Sequence, residues 1–373
     1  MKNIVVIFGG KSVEHDISII TAMQTIANFP SEYKMLPIYV TEDGKFVTSE
    51  NLTNPEIYLN FTKKVKKMRE IGFNLGKNEI FILKNNKIKS KIKVDCALIC
   101  MHGHGGEDGS LQGLLELCGI PYTSPSLPSS AITMDKVLTK KFLISEHIDT
   151  PAYEQFSTSE YKKNKKNVIE KISEKISFPC VVKPARLGSS VGISICSCED
   201  MLAKAIEDAF EFDDKIIVEK FINEAREFCC AAVRCDDKVY LSHVKEVNKN
   251  KIYTFEQKYL NNQNSAEQNI EAKLEDKIKK LCKRVYEALD LDGVVRIDFL
   301  YSEKERKLYV NEPNSVPGSL AFDMFDGKFA DLQKLIIESA IKKSDEKKKI
   351  NYCFNSVAIQ KYIDMAFGSK FKK

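Results

Sequence analysis

Apolar positions in the first third of the chain follow two rhythms. Short β-rich runs at 4–8, 36–40, 79–83 and 94–101 predict strands. Between the first two, Ile19, Ile20, Met23, Ile26 and Ala27 recur at helical spacing, with Asp16 or Ser18 able to cap the helix. Leu111, Leu114, Leu115 and Cys118 form a second stripe that stops at Gly119. Strands alternating with crossover helices predict an α/β sheet. Residues 51–91, rich in Lys and Asn and poorly patterned, read as an insertion on this unit's surface. The turn-rich run at 123–130 marks a first boundary.

Farther on, a basic run at 162–166 opens a helix with apolar Ile169, Ile172 and Ile176. Strands at 180–184 and 191–196 flank a Gly/Ser loop. A helix follows with Met201, Leu202, Ala205, Ile206, Ala209 and Phe210 on its buried face. Strands are predicted at 216–221, 227–234, 238–245, 294–301 and 307–312. The long helix among them carries Leu274, Ile278, Leu281, Val285 and Leu289. The Lys-rich stretch after Lys342 reads as a partly disordered tail, and no internal repeat is present.

At 373 residues and 43% hydrophobic, the chain has room for two or three domains with their own cores. No apolar run is long enough to span a bilayer or serve as a signal peptide. The eleven Cys are odd in number and contain no C-x-x-C, so they read as reduced thiols of a cytosolic protein. Cys196 and Cys198 read as neighbours on one strand face, against half of a metal site. A net charge of +5 is mild for this size, spread mostly as Lys over helix surfaces, and argues against a dedicated nucleic-acid domain.

The strongest local chemistry is a hairpin near residue 304. Arg296 and Asp298 share one strand face, as do Glu312 and Asn314 on the next. A turn centred between Lys304 and Glu305 sets Asp298 opposite residue 311, within two positions. Two carboxylates and an amide then converge as hard oxygen donors suited to Mg²⁺, or else form a solvated polar face. Arg296 beside them can stabilise charge on a reacting acyl or phosphoryl group.

The run from Lys183 to Gly192 places a Lys before glycines whose backbone N–H groups can cradle phosphate, although it lacks the Walker A order. An ordinary hairpin loop is the competing reading. The strand edge at 216–222 either presents backbone to adenine or simply meets solvent. Gly9-Gly10-Lys11-Ser12-Val13-Glu14 lies where a strand gives way to a helix, a usual place for ligands, and a carboxylate there can hold an ammonium. The loop with His102 and His104 suits a turn and substrate contact better than a metal, for want of a third ligand.

Taken in order, GGKSVEHDIS, HGHGGEDGSLQGLLE, VVKPARLGSSVGI, EKFI, EQKYL, GVVRIDF and NEPNSVPGS resemble the D-alanine–D-alanine ligases of the ATP-grasp superfamily, from residue 1 to about 345. The resemblance implies an α/β ATP-grasp fold of three domains: an N-terminal open parallel-sheet domain (1–125), then two α+β domains (126–215 and 216–345) sandwiching ATP, and a tail (346–373). It implies that Lys136 and Lys183 contact ATP phosphates, with Ser189 and Ser190 in the glycine loop. Glu219, Lys220, Ile222 and Glu227 would line the adenosine pocket. Asp298, Glu312 and Asn314 would hold two Mg²⁺ ions, with Mn²⁺ able to substitute. Glu14 would bind the ammonium of the first D-alanine, with His102 beside that subsite. Glu14, Ser189 and Tyr259 would form a triad closing the site, and Lys258 would reach the γ-phosphate. Arg296 and the Gly318 N–H would stabilise the tetrahedral oxyanion.

The implied activity joins two D-alanine molecules through an acyl phosphate, for peptidoglycan precursor, in a cytoplasmic homodimer without nucleic-acid or membrane partners. Two departures stand out. Leu187 replaces a frequent Glu, and Ser319-Leu320, matched to the second substrate's carboxylate, follow Gly318 without the usual spacer. Tyr259 favours D-alanine over D-lactate as second substrate, since vancomycin-resistance relatives place other residues there. The alternatives are the same chemistry with another D-amino or D-hydroxy acid, or a non-catalytic nucleotide-binding module.

Overall fold

A computed structural model describes residues 1–60, 68–236, 238–247 and 270–367. The first sheet runs in the order β6-β5-β4-β3-β2-β1-β7. Its strands are β1 (Asn3–Gly9), β2 (Lys34–Val40), β3 (Phe46–Thr48), β4 (Arg69–Asn74), β5 (Glu79–Lys84), β6 (Lys87–Lys93) and β7 (Cys96–Ile99). β1 is apolar from Ile4 to Phe8 because both of its faces are covered there, and it pairs parallel with β2 and β7. Beyond β2 the pairing is antiparallel. Much of the poorly patterned stretch at 51–91 therefore extends this sheet by three strands, and the fully exposed Lys residues of β6 obscured its pattern.

Helix α1 (His15–Ala27) follows β1, and Glu14, its N-cap, makes no side-chain cap bond. Neither Asp16 nor Ser18 caps it. Ser18 is buried and latches two strand ends, accepting from Gly9 N–H (2.8 Å) and donating to Cys100 O (2.8 Å). The helix buries Ile17, Thr21, Ala22 and Thr25; Ile19, Met23 and Ile26 are half-buried and Ala27 is exposed. The expected face is thus rotated toward small polar residues. Helix α2 (Ser110–Cys118) buries Leu111, Leu115 and Cys118 and ends at Gly119 with φ +73°.

The 123–130 run is only half linker. Ser126 caps α3 (Leu127–Met134), with Pro128 in its first turn, a helix-start signal hidden in turn-like composition. Asp135 then caps α4 (Lys136–Ser145). A second sheet, β10-β9-β11-β8, is antiparallel. It holds β8 (Tyr153–Ser157), β9 (Cys180–Pro184), β10 (Ser194–Cys196) and β11 (Lys215–Lys220), with α5 (Thr158–Lys163), α6 (Lys165–Lys175) and α7 (Glu199–Phe210) between them. Cys198 lies beyond the strand at the N-cap position of α7, without a side-chain cap bond, and is exposed while Cys196 is buried, so the two do not share a strand face. Met201, expected on the buried face of α7, is exposed.

The third sheet contains β12 (Arg226–Cys235), β13 (Lys238–Leu241), β14 (Lys245–Val247), β15 (Val294–Ser302) and β16 (Lys307–Asn314), all antiparallel. Helix α8 (Ala272–Ala288) packs Leu274, Ile278, Cys282 and Val285 onto it. Helix α9 (Phe329–Lys347) crosses back to the first sheet, where Gln333 donates to Thr25 O at 3.1 Å. Side chains from β1, β7, β12 and α9 share one core, which fixes the first and third sheets against each other. Helix α10 (Ala358–Phe367) lies outside all three sheets. Among the described residues no helix is long and apolar enough to cross a membrane, and all eleven thiols are free.

Candidate active site

The hairpin of β15 and β16 supplies the centre. Arg296 pairs with Asn314 and Asp298 with Glu312, so all four side chains share one face. The next pair is Phe299 with Val310, which leaves Asn311 bulged out of the ladder. Arg296 grips Asp298 by two bonds of 2.8 and 2.9 Å, and the Asn314 amide donates to Asp298 at 3.1 Å. Lys136, at the start of α4, lies 3.0 Å from Glu312 and donates to Leu187 O at 2.7 Å. Burial alone would raise the Glu312 carboxyl, but Lys136 and Lys183 outweigh it and hold it at about 2.

Two carboxylates and an amide oxygen make a hard donor set that fits Mg²⁺. Among the described residues no three His, Cys, Asp or Glu side chains are grouped for a metal, so the set reaches three donors only by counting Asn314.

Lys183 on β9 and Glu219 on β11 meet at 2.7 Å, and buried Lys140 on α4 approaches the same carboxylate at 3.1 Å. Burial works against the Glu219 charge, yet the two ammonium groups hold its carboxyl at about 2. Burial likewise disfavours the Lys183 charge, but Glu219 and Glu312 raise its pKa overall. Lys140 lies one helical turn beyond Lys136 on the same face, a spacing that could have marked it in the sequence. Lys220 is half-exposed and 3.5 Å from Glu305, Ile222 is buried beside Ala225 and Tyr309, and Glu227 is exposed on β12.

Glu14 sits between loops from two regions of the chain. Ser189 Oγ donates to its Oε1 at 2.5 Å. A Cβ on Gly188 would come within 2.7 Å of both carboxylate oxygens, and one on Gly103 (φ +67°) within 2.9 Å. Only glycine lets both loops close on the acid. Burial raises the Glu14 carboxyl, opposed by Ser189 and Lys136. His102 is buried, bonds Thr21 Oγ1 at 2.9 Å, and is driven by burial to about 4, so it is neutral at pH 7. His104 points away to an exposed pair with Asp108, and the two His share no ligand site.

Glu107, inside the HGHGGEDG string, lies beside them and carries no local sequence signal of its role. Part-buried, it accepts from Gly103 N–H (2.8 Å), Val316 N–H (2.8 Å) and Ser315 Oγ (3.0 Å), tying the His102 loop to the end of β16. Burial and nearby Glu14 push its carboxyl up to about 7. Ser319, Leu320 and Ala321 take φ near +50° in succession, a conformation costing roughly 1–2 kcal/mol per residue. Ser319 is pinned there, its N–H donating to Thr21 Oγ1 (3.1 Å) and its Oγ to Gln24 (2.5 Å).

One small polar cleft thus joins Glu14, His102, Lys136, Arg296, Glu312 and Gly318. Ser190 is exposed in the Gly/Ser loop at the φ +59° position. Lys258 and Tyr259 lie outside the described residues. A roomier cavity of about 500 Å³ between α2 and α9 contains none of these groups. The chemistry belongs to the small cleft, where buried Glu14 meets the part-buried Lys136, Arg296 and Glu312.

The family models for the D-ala D-ala ligase N-terminus and C-terminus match residues 3–125 and 142–336. A D-alanine–D-alanine ligase of Thermosipho melanesiensis is 35% identical over 96% of this chain and 99% of its own length. The D-alanine–D-alanine ligase structure from Coxiella burnetii superposes with TM-score 0.77 at 25% identity, covering 97% and 99% of the two chains. The Bacillus anthracis enzyme, solved in complex with ATP, gives 0.65 at 27%, covering 93% and 99%. With both halves matched and near-complete coverage, the chain belongs to the D-alanine–D-alanine ligase family: it has the ATP-grasp fold and is an ATP-using ligase that makes D-alanyl-D-alanine for the cell wall.

Proposed function

We propose the following division of labour among the cleft residues. The Glu14 carboxylate holds the ammonium of the first D-alanine, and neutral His102 borders that subsite without adding charge. Lys136 and Lys183 contact the ATP phosphates, with the Ser189–Ser190 turn over them. Glu219, Lys220, Ile222 and Glu227 line the adenosine pocket between the second and third sheets. Ser319 and Leu320 meet the second substrate's carboxylate. Asp298, Glu312 and Asn314 hold two Mg²⁺ ions, which when bound offset charge on the triphosphate. Lys258 and Tyr259 keep the roles their motif implies, on the γ-phosphate and in closure over Glu14.

A carboxylate oxygen of the first D-alanine attacks the γ-phosphorus, the bond to the β–γ bridging oxygen breaks, and ADP leaves. The amine of the second D-alanine then attacks the acyl carbon, a proton is lost, and phosphate departs with that oxygen. Arg296 and the Gly318 N–H stabilise the intervening oxyanion. The observation that carries this assignment is the convergence of Glu14 and Glu312 on one cleft, the first poised for an ammonium and the second ionised beside Lys136.

The break between the first and second sheets supports a domain limit near 125. β11 (Lys215–Lys220) pairs within the second sheet, which moves the second limit from 215 to just after Lys220, and α9 runs to Lys347, which moves the start of the tail from 346 to just beyond that helix. The family resemblance supports a cytoplasmic homodimer. The test is mass spectrometry of the products formed from ATP, Mg²⁺ and a mixed pool of D-amino and D-hydroxy acids. D-alanyl-D-alanine as the main product is expected. A dominant product with another second partner would displace D-alanine from the Ser319–Leu320 subsite.

A further inference from the structure

The chain's excess positive charge is confined to its end. After Glu346 come seven Lys and one Asp, whereas the whole chain carries 57 basic and 52 acidic residues, so everything before that point is close to neutral. Among the described residues, the same segment holds the densest run of bare apolar side chains. Phe354 is 89% exposed, Ile359 74% and Met365 88%, with Tyr352, Val357 and Tyr362 also exposed. Residues 351–366 are exposed throughout. At 100° per residue, α10 gathers Ile359, Tyr362, Ile363 and Ala366 on one side and sets Gln360, Lys361 and Asp364 on the other. Both family models end before this segment.

We propose that the segment 347–366, through α10 and the Lys residues beside it, docks the enzyme on an anionic lipid surface, with α10 lying in the interface and its apolar side turned into the acyl boundary. An amphipathic helix flanked by Lys binds such surfaces by burying apolar area and by attraction to acidic headgroups. The helix is too short to span a bilayer. Every cation after Glu346 is Lys, a point charge suited to a diffuse layer of headgroups rather than to bidentate recognition of one phosphate. A nucleic acid would engage the Lys residues but leave the Ile and Tyr face in water. The chain before Lys347 is near neutral in net charge, and although Lys347 lies 3.7 Å from Glu116 and Lys348 2.8 Å from Asp345, the tail's net positive charge is not matched by a net negative charge on the rest of the chain.

The test is co-sedimentation of the full-length protein with vesicles of phosphatidylcholine, with and without phosphatidylglycerol. Pelleting with the acidic vesicles alone is expected, reversed by high salt. Ile359→Asp with Ile363→Asp, and separately Lys348→Glu with Lys349→Glu, are each expected to weaken binding roughly tenfold or more while leaving dipeptide synthesis unchanged. No pelleting with acidic vesicles, or pelleting indifferent to both variants, would overturn the proposal. So would a dimer seen by size exclusion that dissociates in the Ile variant, since that would make α10 an interface between copies.

Discussion

Asp298 faces Glu312 across the β15–β16 hairpin because Asn311 is bulged out of the ladder. Counting from the turn, a regular ladder would set Asn311 opposite Asp298. The bulge moves the register by one and brings a second carboxylate into place, as bulges near active sites commonly do.

The exchange Asn311→Glu with Glu312→Asn keeps composition but carries the carboxylate one residue out of register. Phosphate release dependent on D-alanine is expected to fall roughly 10²–10³-fold, with circular dichroism unchanged. Wild-type turnover would mean that the bulge does not set the register.

Gly188→Ala places a methyl against both oxygens of Glu14. The acid must shift or the loop must lift. A KM for D-alanine raised roughly tenfold or more is expected, with a smaller change for ATP. Equal changes for both substrates would point to general loop damage.

Glu219→Gln leaves Lys140 and Lys183 facing each other in a buried site without their shared counter-charge. Removing one partner of such a group costs about 3–5 kcal/mol, so thermal unfolding is expected several degrees lower. An unchanged Tm would show that one of the two ammonium groups is not held there.

Of the fold, the strands and helices with bulky apolar periodicity were legible, as was the Arg296–Asp298 and Glu312–Asn314 pairing by parity. Three features were not. Helix α3 begins in a Ser/Pro run whose composition reads as turn. The face of α1 is chosen by Ser18 and Thr21 bonding to the first sheet and to Ser319, a tertiary choice that apolar periodicity does not encode. Lys140 and Glu107 owe their roles to partners dozens of residues away or more, Glu219 for one and Val316 for the other, so no local pattern announces them.

Glu107 has its carboxyl raised by burial and by Glu14. A raised acid stabilises the fold below its unfolded pKa of about 4.3, and that contribution is lost as pH rises toward 7. The Tm of the wild type relative to Glu107→Gln is therefore expected to decline between pH 5 and about 7.5. A difference that is flat or grows over that interval would contradict the assignment.

In the cleft between Glu14 and Glu312, a D-alanine carboxylate oxygen attacks the γ-phosphorus of ATP. D-Alanine labelled with ¹⁸O in its carboxyl group tests it directly by mass analysis of the released phosphate. One labelled oxygen per phosphate, lost together with phosphate release in Glu312→Gln, is the predicted result. Unlabelled phosphate accompanying dipeptide formation would contradict the account.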